Sequence, residues 1–195
     1  MSDLQTITKL KDLTGAGVMD CKSALAEANN DLEKAIEILR KKGEAKAAKK
    51  VAERTAKEGL VAVYKHSNNK MAAMVEIFCE TDFVAKTEDF RNLANDVAMQ
   101  IAAMNPQYLN PDQIPAEIIA KEKEIYAEQL RAEGKPEAML EKIMEGKLQK
   151  FYEEVCLNEQ TFIKDETLKV KQLIQNIIVK TGEKVEIGKF ALLKI

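Results

Sequence analysis

Tryptophan is absent from this chain of 195 residues, histidine occurs once, cysteine three times, proline four times and glycine eight times. Aromatic residues reach only 5%. Such scarcity, beside abundant Lys, Glu and Ala, disfavours an all-β fold and favours helix. The chain has no HExxH, no Cys–His or Ser–His pair close in sequence and no Gly-rich phosphate loop, so the common enzyme signatures are missing. Cys21, Cys79 and Cys156 are odd in number and far apart. That argues against a disulfide framework and a zinc site, and it sets the expectation of a reducing cytoplasm. No run of about 18 apolar residues exists to span a membrane. Met1-Ser2-Asp3-Leu4 lacks the basic segment and apolar core of a secretory signal, so none is expected. Thirty basic and 32 acidic residues leave a net charge of −2. The chain as a whole is therefore not expected to bind nucleic acid or a membrane surface.

What is present is a soluble, core-forming composition, with 46% apolar and 32% charged residues. Residues 1–43 read as a three-helix module. Leu4, Ile7, Leu10 and Leu13 mark the first helix, and Thr14-Gly15-Ala16-Gly17 breaks it. Val18, Cys21, Ala24, Leu25 and Ala28 follow, ended by Asn29-Asn30. Asp31 is placed to cap the third helix, with Gly43 as its expected stop. Residues 44–58 are rich in Ala and Lys and offer no face to bury, so they read as a solvated helical linker. Their lysines lack interleaved aromatics and are diluted by Glu44, Glu53 and Glu58, which favours a linker over a phosphate-binding strip.

Residues 59–195 read as an α+β core. Leu60–Tyr64 and Met71–Phe78 are β-rich runs around the turn His66-Ser67-Asn68-Asn69. Thr87 can cap a helix carrying Phe90, Leu93, Ala94, Val97, Ile101 and Met104, and Asn105-Pro106 ends it. Pro115 and Pro136 open two helices joined at Gly134-Lys135, expected as an antiparallel helical hairpin over 115–157. A last helix is expected at about 167–181, with Leu168 among its inward residues and Gly182 after it. Val185 to Ile195 can then join the hairpin strands as a third antiparallel member, with a bulge at Gly188.

Two segments are informative. In Leu10 to Leu25, Val18 and Met19 open a helix after a flexible turn. From pattern alone they can dock a partner or staple the small core. In Glu76 to Lys86, Thr81 or Asp82 can cap a short helical turn containing Phe83 and Val84. Phe83 is seven residues from Phe90 and would share its face in a continuous helix, but Thr87 suggests an interruption. Phe83 as core and Phe83 pointing elsewhere are both open. His66, the single histidine, reads as a solvated turn residue.

Those two segments resemble the hallmark stretches of the elongation factor Ts family, and the resemblance runs in order along nearly the whole chain. It implies an N-terminal module like a ubiquitin-associated domain, a linker, and a single core subdomain with a three-stranded antiparallel sheet, helices and a protruding helical hairpin. Leu157, Gln160 and Phe162 also fit the family spacing. Lys11 stands where the family usually has Arg, and Phe78 where Asn is common, which removes a polar group at the strand end. The resemblance implies a non-enzymatic exchange factor, without cofactor or metal, that makes the GTPase elongation factor Tu release GDP. Thr81, Asp82, Phe83 and Val84 would disturb the Mg²⁺ and phosphate surroundings, while Val18 and Met19 would dock on the nucleotide domain. A homodimer through the core sheet, in a two-plus-two complex, is expected because alternating apolar residues such as Val61, Val63, Met74 and Phe190 leave one sheet face short of cover. The competing readings are a helix-binding adaptor built on residues 1–43 and a chaperone-like coiled-coil holder acting through the hairpin.

Overall fold

The computed structural model describes residues 4–133 and 136–195. The expected joint Gly134-Lys135 lies outside the described residues. Helices α1 (Leu4–Thr14), α2 (Val18–Glu27) and α3 (Leu32–Glu53) come first. Asn29 and Asn30 take positive φ between α2 and α3, a conformation that Asn tolerates well. Asp31 caps α3 by accepting from the Glu33 and Lys34 backbone N–H groups at 3.1 and 3.2 Å. The three helices share a small buried cluster that includes Ile7, Leu10, Cys21, Leu25 and Leu39. The expected stop at Gly43 is wrong. α3 runs through it to Glu53, because a glycine inside a helix costs only about 1 kcal/mol and does not end one by itself.

Strands β1 (Glu58–Lys65) and β2 (Met71–Cys79) form the expected antiparallel hairpin. In its turn His66 is half-buried and its Nδ1 lies 3.0 Å from the Tyr64 hydroxyl. After β2 come a one-turn helix α4 (Asp82–Ala85) and the long α5 (Glu88–Met104), which ends at Asn105 in the left-handed region. Helices α6 (Ala116–Ala132) and α7 (Glu137–Val155) pack against each other. Lys147 Nζ donates to Gln129 Oε1 at 3.1 Å and sits 5.4 Å from the centre of the Tyr126 ring. A short antiparallel pair, β3 (Thr161–Phe162) and β4 (Asp165–Lys169), precedes α8 (Val170–Thr181). Leu168 therefore belongs to a strand and not to the last helix. The helix opens only at Val170, where the Lys169 N–H donates to the Gln172 side chain at 2.7 Å. Gly182 ends α8 with φ of 73°, a left-handed cap that suits a residue without Cβ. Among the described residues no helix is long and apolar enough to cross a membrane.

Strand β5 (Glu186–Lys194) pairs antiparallel with β2, giving the sheet order β1-β2-β5. Helices α5 and α8 cover one face. Val75, Ile77, Phe90, Val97, Ile101, Ile174 and Ile187 lie in that core. Gln100 and Gln160 are the buried polar residues of this region. Gln100 Nε2 donates to Gln160 Oε1 and Thr161 O at 3.2 and 3.0 Å, and Gln160 Nε2 donates to Glu154 O at 3.0 Å. These amides tie α5 to the turn after α7, and their own oxygens and nitrogens are paired.

The register steps by one residue between Val75↔Phe190 and Ile77↔Ile187, so β5 carries the expected bulge at Gly188. A Cβ at Gly188 would lie 2.4 Å from the Phe78 ring, so the ring occupies the room the glycine leaves. The bulge also corrects an expectation. An unbroken strand alternates from Ile187 and would put Phe190 on the far face. The extra residue reverses the alternation, and Phe190 faces the helices with Val75. Val61, Val63, Met74 and Leu193 remain on the far face, and Val61 and Val63 are 62% and 59% exposed.

Candidate functional site: the turn between β2 and α5

Cys79 ends β2 inside the core, and the chain then turns sharply into α4. Thr81 is the N-cap of α4, its Oγ1 accepting from the Val84 N–H at 3.4 Å. Thr87 closes the other end. Its hydroxyl donates to Val84 O at 2.8 Å and accepts from the Phe90 N–H at 3.4 Å, so one side chain ends α4 and starts α5. The two helices are therefore separate, and Phe83 and Phe90 part company. Phe90 is fully buried, whereas Phe83 is 78% exposed.

The four residues singled out in sequence fall into one turn with distinct placements. Val84, with Ala85, packs against the core and seats the turn. Asp82 lies in the first turn, paired with Lys86 Nζ at 2.6 Å. That lysine holds the Asp82 carboxyl below the usual range. Phe83 projects from the surface, and Thr81 is half-buried. A large apolar side chain that exposed, on a turn this well held, is the unusual feature of the region.

Three further groups hold the same turn and carried no signal in the sequence. The Glu183 carboxylate accepts from the Glu80 and Thr81 N–H groups and from the Thr81 hydroxyl. The Cys79 thiol donates to Thr81 O at 3.1 Å. Burial and then the nearby Glu183 charge push that thiol above its ordinary value, so it stays a neutral donor. Glu80 accepts from the Lys184 N–H and forms an ion pair with Arg54 at 3.0 Å.

Val18 and Met19 stand apart from this turn, on the helical module. They open α2 after Gly17, which provides no side-chain cap, and they are 51% and 76% exposed. They are not staples of the small core. The core positions of α2 go to Cys21, Ala24 and Leu25.

A cleft of about 810 Å³ runs between the module and α8, lined among others by Thr14, Asp20, Arg40, Gln172, Asn176 and Lys180. It holds neither His66 nor a cysteine. Among the described residues no three His, Cys, Asp or Glu side chains converge as metal ligands. Cys21, Cys79 and Cys156 are free and buried. Burial, with Glu159 and Asp112 nearby, pushes the Cys156 thiol up to about 11, so it is a core residue and not a nucleophile.

The profile of the family described as Elongation factor TS matches residues 5–194. The chain is 54% identical over 191 residues to the Elongation factor Ts of Fervidobacterium nodosum, covering 98% of this chain and 96% of that one. It is 53% identical over 192 residues to that of Thermotoga maritima, covering 98% and 95%. With that of Syntrophus aciditrophicus the figures are 55% over 185 residues, 95% and 92%. A turn that exposes Phe83 and is held by hydrogen bonds at both ends thus occurs in a chain that belongs to the elongation factor Ts family.

Proposed function

We propose that this chain is the guanine nucleotide exchange factor of elongation factor Tu. The observation that carries the reading is Phe83: apolar, exposed, and seated on a turn that the core grips from beneath. An exchange factor makes and breaks no covalent bond. It needs only to bind the nucleotide-free GTPase better than the loaded one, and reciprocity then weakens GDP by the same factor. A GTPase that holds GDP at nanomolar affinity keeps it with about 12 kcal/mol, largely through backbone amides and Mg²⁺ around the phosphates. A rigid apolar wedge pushed among those groups is a direct way to raise the energy of the loaded state. In this reading Phe83 intrudes near the Mg²⁺ site, Asp82 shifts local hydrogen bonds without ligating metal, and Thr81 and Val84 hold the turn. Val18 and Met19 dock the module on the nucleotide domain. The exposed Phe83 has no task in an adaptor confined to residues 1–43 or in a holder that works through α6 and α7.

The module is read as similar to a ubiquitin-associated domain, α6 and α7 as a protruding hairpin, and the site of action as the cytoplasm. The uncovered sheet face supports a homodimer closed by two-fold symmetry, which would let one GTPase meet the wedge of one subunit and the core of the other. Sedimentation equilibrium at micromolar concentration should give about twice 21.9 kDa, and a single species at 21.9 kDa would reject the dimer. The exchange reading is tested by mixing the protein with elongation factor Tu loaded with fluorescent GDP. Release should accelerate with factor concentration and saturate. Release at the spontaneous rate would overturn the reading.

A further inference from the structure

A one-turn helix has almost no stability of its own, because its nucleus is costly and its hydrogen bonds are few. α4 has four residues, so the direction in which Phe83 leaves the surface depends on what holds the chain just before it. The Thr81 hydroxyl has one proton and two lone pairs, and it caps Val84 only while a lone pair faces that N–H. The Thr81 hydroxyl donates to Glu183 Oε1 at 2.7 Å, which turns its lone pairs towards Val84. Glu183 Oε2 accepts from the Glu80 and Thr81 N–H groups at 3.2 and 3.0 Å. Three donors thus converge on one carboxylate, and bonds to an ionised acceptor are stronger than neutral ones. Glu183 reaches the turn from 102 residues further along the chain, out of the short loop between α8 and β5. Its own N–H donates to the Thr181 hydroxyl at 3.3 Å, so the carboxylate starts from a defined place. Glu80 answers in the opposite direction by accepting the Lys184 N–H.

We infer that Glu183 is a positioning residue for exchange: its carboxylate locks the Glu80-Thr81 segment and the Thr81 hydroxyl, so that Phe83 is presented in one orientation. The inference rests on the exchange reading above. Glu183 touches neither nucleotide nor GTPase in this scheme and acts only through the turn. Glu183→Gln keeps the shape and removes the charge. One of its two ends becomes an NH₂ donor, so the amide cannot accept from the hydroxyl and from both N–H groups in the present geometry.

The test measures fluorescent-GDP release from elongation factor Tu over a range of factor concentrations, for the full chain and for Glu183→Gln. The maximal rate should fall about tenfold while the half-saturating concentration stays within about twofold, since docking through the module is untouched. A merely structural role lowers the folded fraction, which raises the half-saturating concentration and leaves the maximal rate alone. That result, or an unchanged maximal rate, overturns the inference. The chain has no tryptophan, so Phe83→Trp places a single reporter on the turn. Adding Glu183→Gln should speed the local decay of its fluorescence anisotropy, and an unchanged decay also overturns the inference. If Phe83→Ala exchanges as fast as the unaltered chain, the wedge reading falls. The anisotropy then still shows independently whether Glu183 holds the turn.

Discussion

Val18-Met19 and Phe83 each project apolar side chains from the first turn of a helix, yet the two turns are built differently. α2 starts at Gly17 with no side-chain cap, above a small cluster filled partly by alanines, Ala24, Ala28 and Ala35. α4 starts at Thr81 with a cap, a thiol, a carboxylate from a distant loop and a three-stranded sheet beneath it. In the exchange reading proposed above, a docking surface can adjust to its partner and lose little, whereas a wedge that yields does no work on the loaded GTPase, and the difference in support fits those two proposed roles.

The sharpest break in that comparison is Phe83→Ala. Its side chain is exposed, so the melting temperature should move by no more than about 2 °C. If Phe83 is the proposed wedge, the maximal rate of GDP release should fall by about a hundredfold, because the truncation would then remove an interaction made only while nucleotide is being displaced. A sharp drop in melting temperature would make Phe83 a core residue and end the wedge reading.

Second in size is Leu25→Ala. Leu25 is fully buried in the module, and losing a buried leucine costs about 2–5 kcal/mol. A unit this small has little stability to lose. The module should melt before the core, with the core transition unchanged. Exchange at limiting concentration should fall about tenfold, and saturating factor should restore most of it. One cooperative melt, shifted as a whole, would show instead that module and core fold as a single unit.

Much of this contrast was legible in the sequence wherever a local chemical signal existed. Asp31 and Thr87 cap the helices they were expected to cap, Asn29-Asn30 and Asn105 end theirs, and Gly188 marks a bulge. The failures share one cause, which is that local pattern does not carry tertiary context. Gly43 looks like a stop, but a glycine by itself does not end a helix, and α3 passes through. Leu168 looks like the opening of the last helix yet lies in β4, whose Asp165 and Lys169 pair with Phe162 and Thr161. Simple alternation puts Phe190 on the far face, and the bulge reverses it. The Glu183 contact could not be read at all, because a hydrogen bond between residues so far apart leaves no periodicity behind. Phe83 itself was undecided by spacing and is resolved by the break at Thr87.

The smallest expected effect separates the two regions by acid. α3 of the module is capped by a carboxylate, Asp31, whereas α5 of the core is capped by the Thr87 hydroxyl, which does not titrate. The Lys34 backbone N–H, ahead of the smaller effects of the Lys34 side chain and the Glu33 N–H, holds the Asp31 carboxyl below its ordinary 3.8. A carboxyl whose folded value is depressed adds stability above the unfolded value and loses it as pH falls through the folded one. The cap should therefore contribute constantly from pH 7 down to about 5 and fade below about 4. Asp31→Asn isolates this term. Asn caps as well as Asp at neutral pH, so the two melting temperatures should agree there. Below about pH 4 the module of the unaltered chain should lose stability faster than that of Asp31→Asn, whose cap carries no titrating proton. Circular-dichroism melts between about pH 3 and 7 read the difference directly. Parallel acid profiles for the two proteins would mean that Asp31 does not hold α3 through its charge.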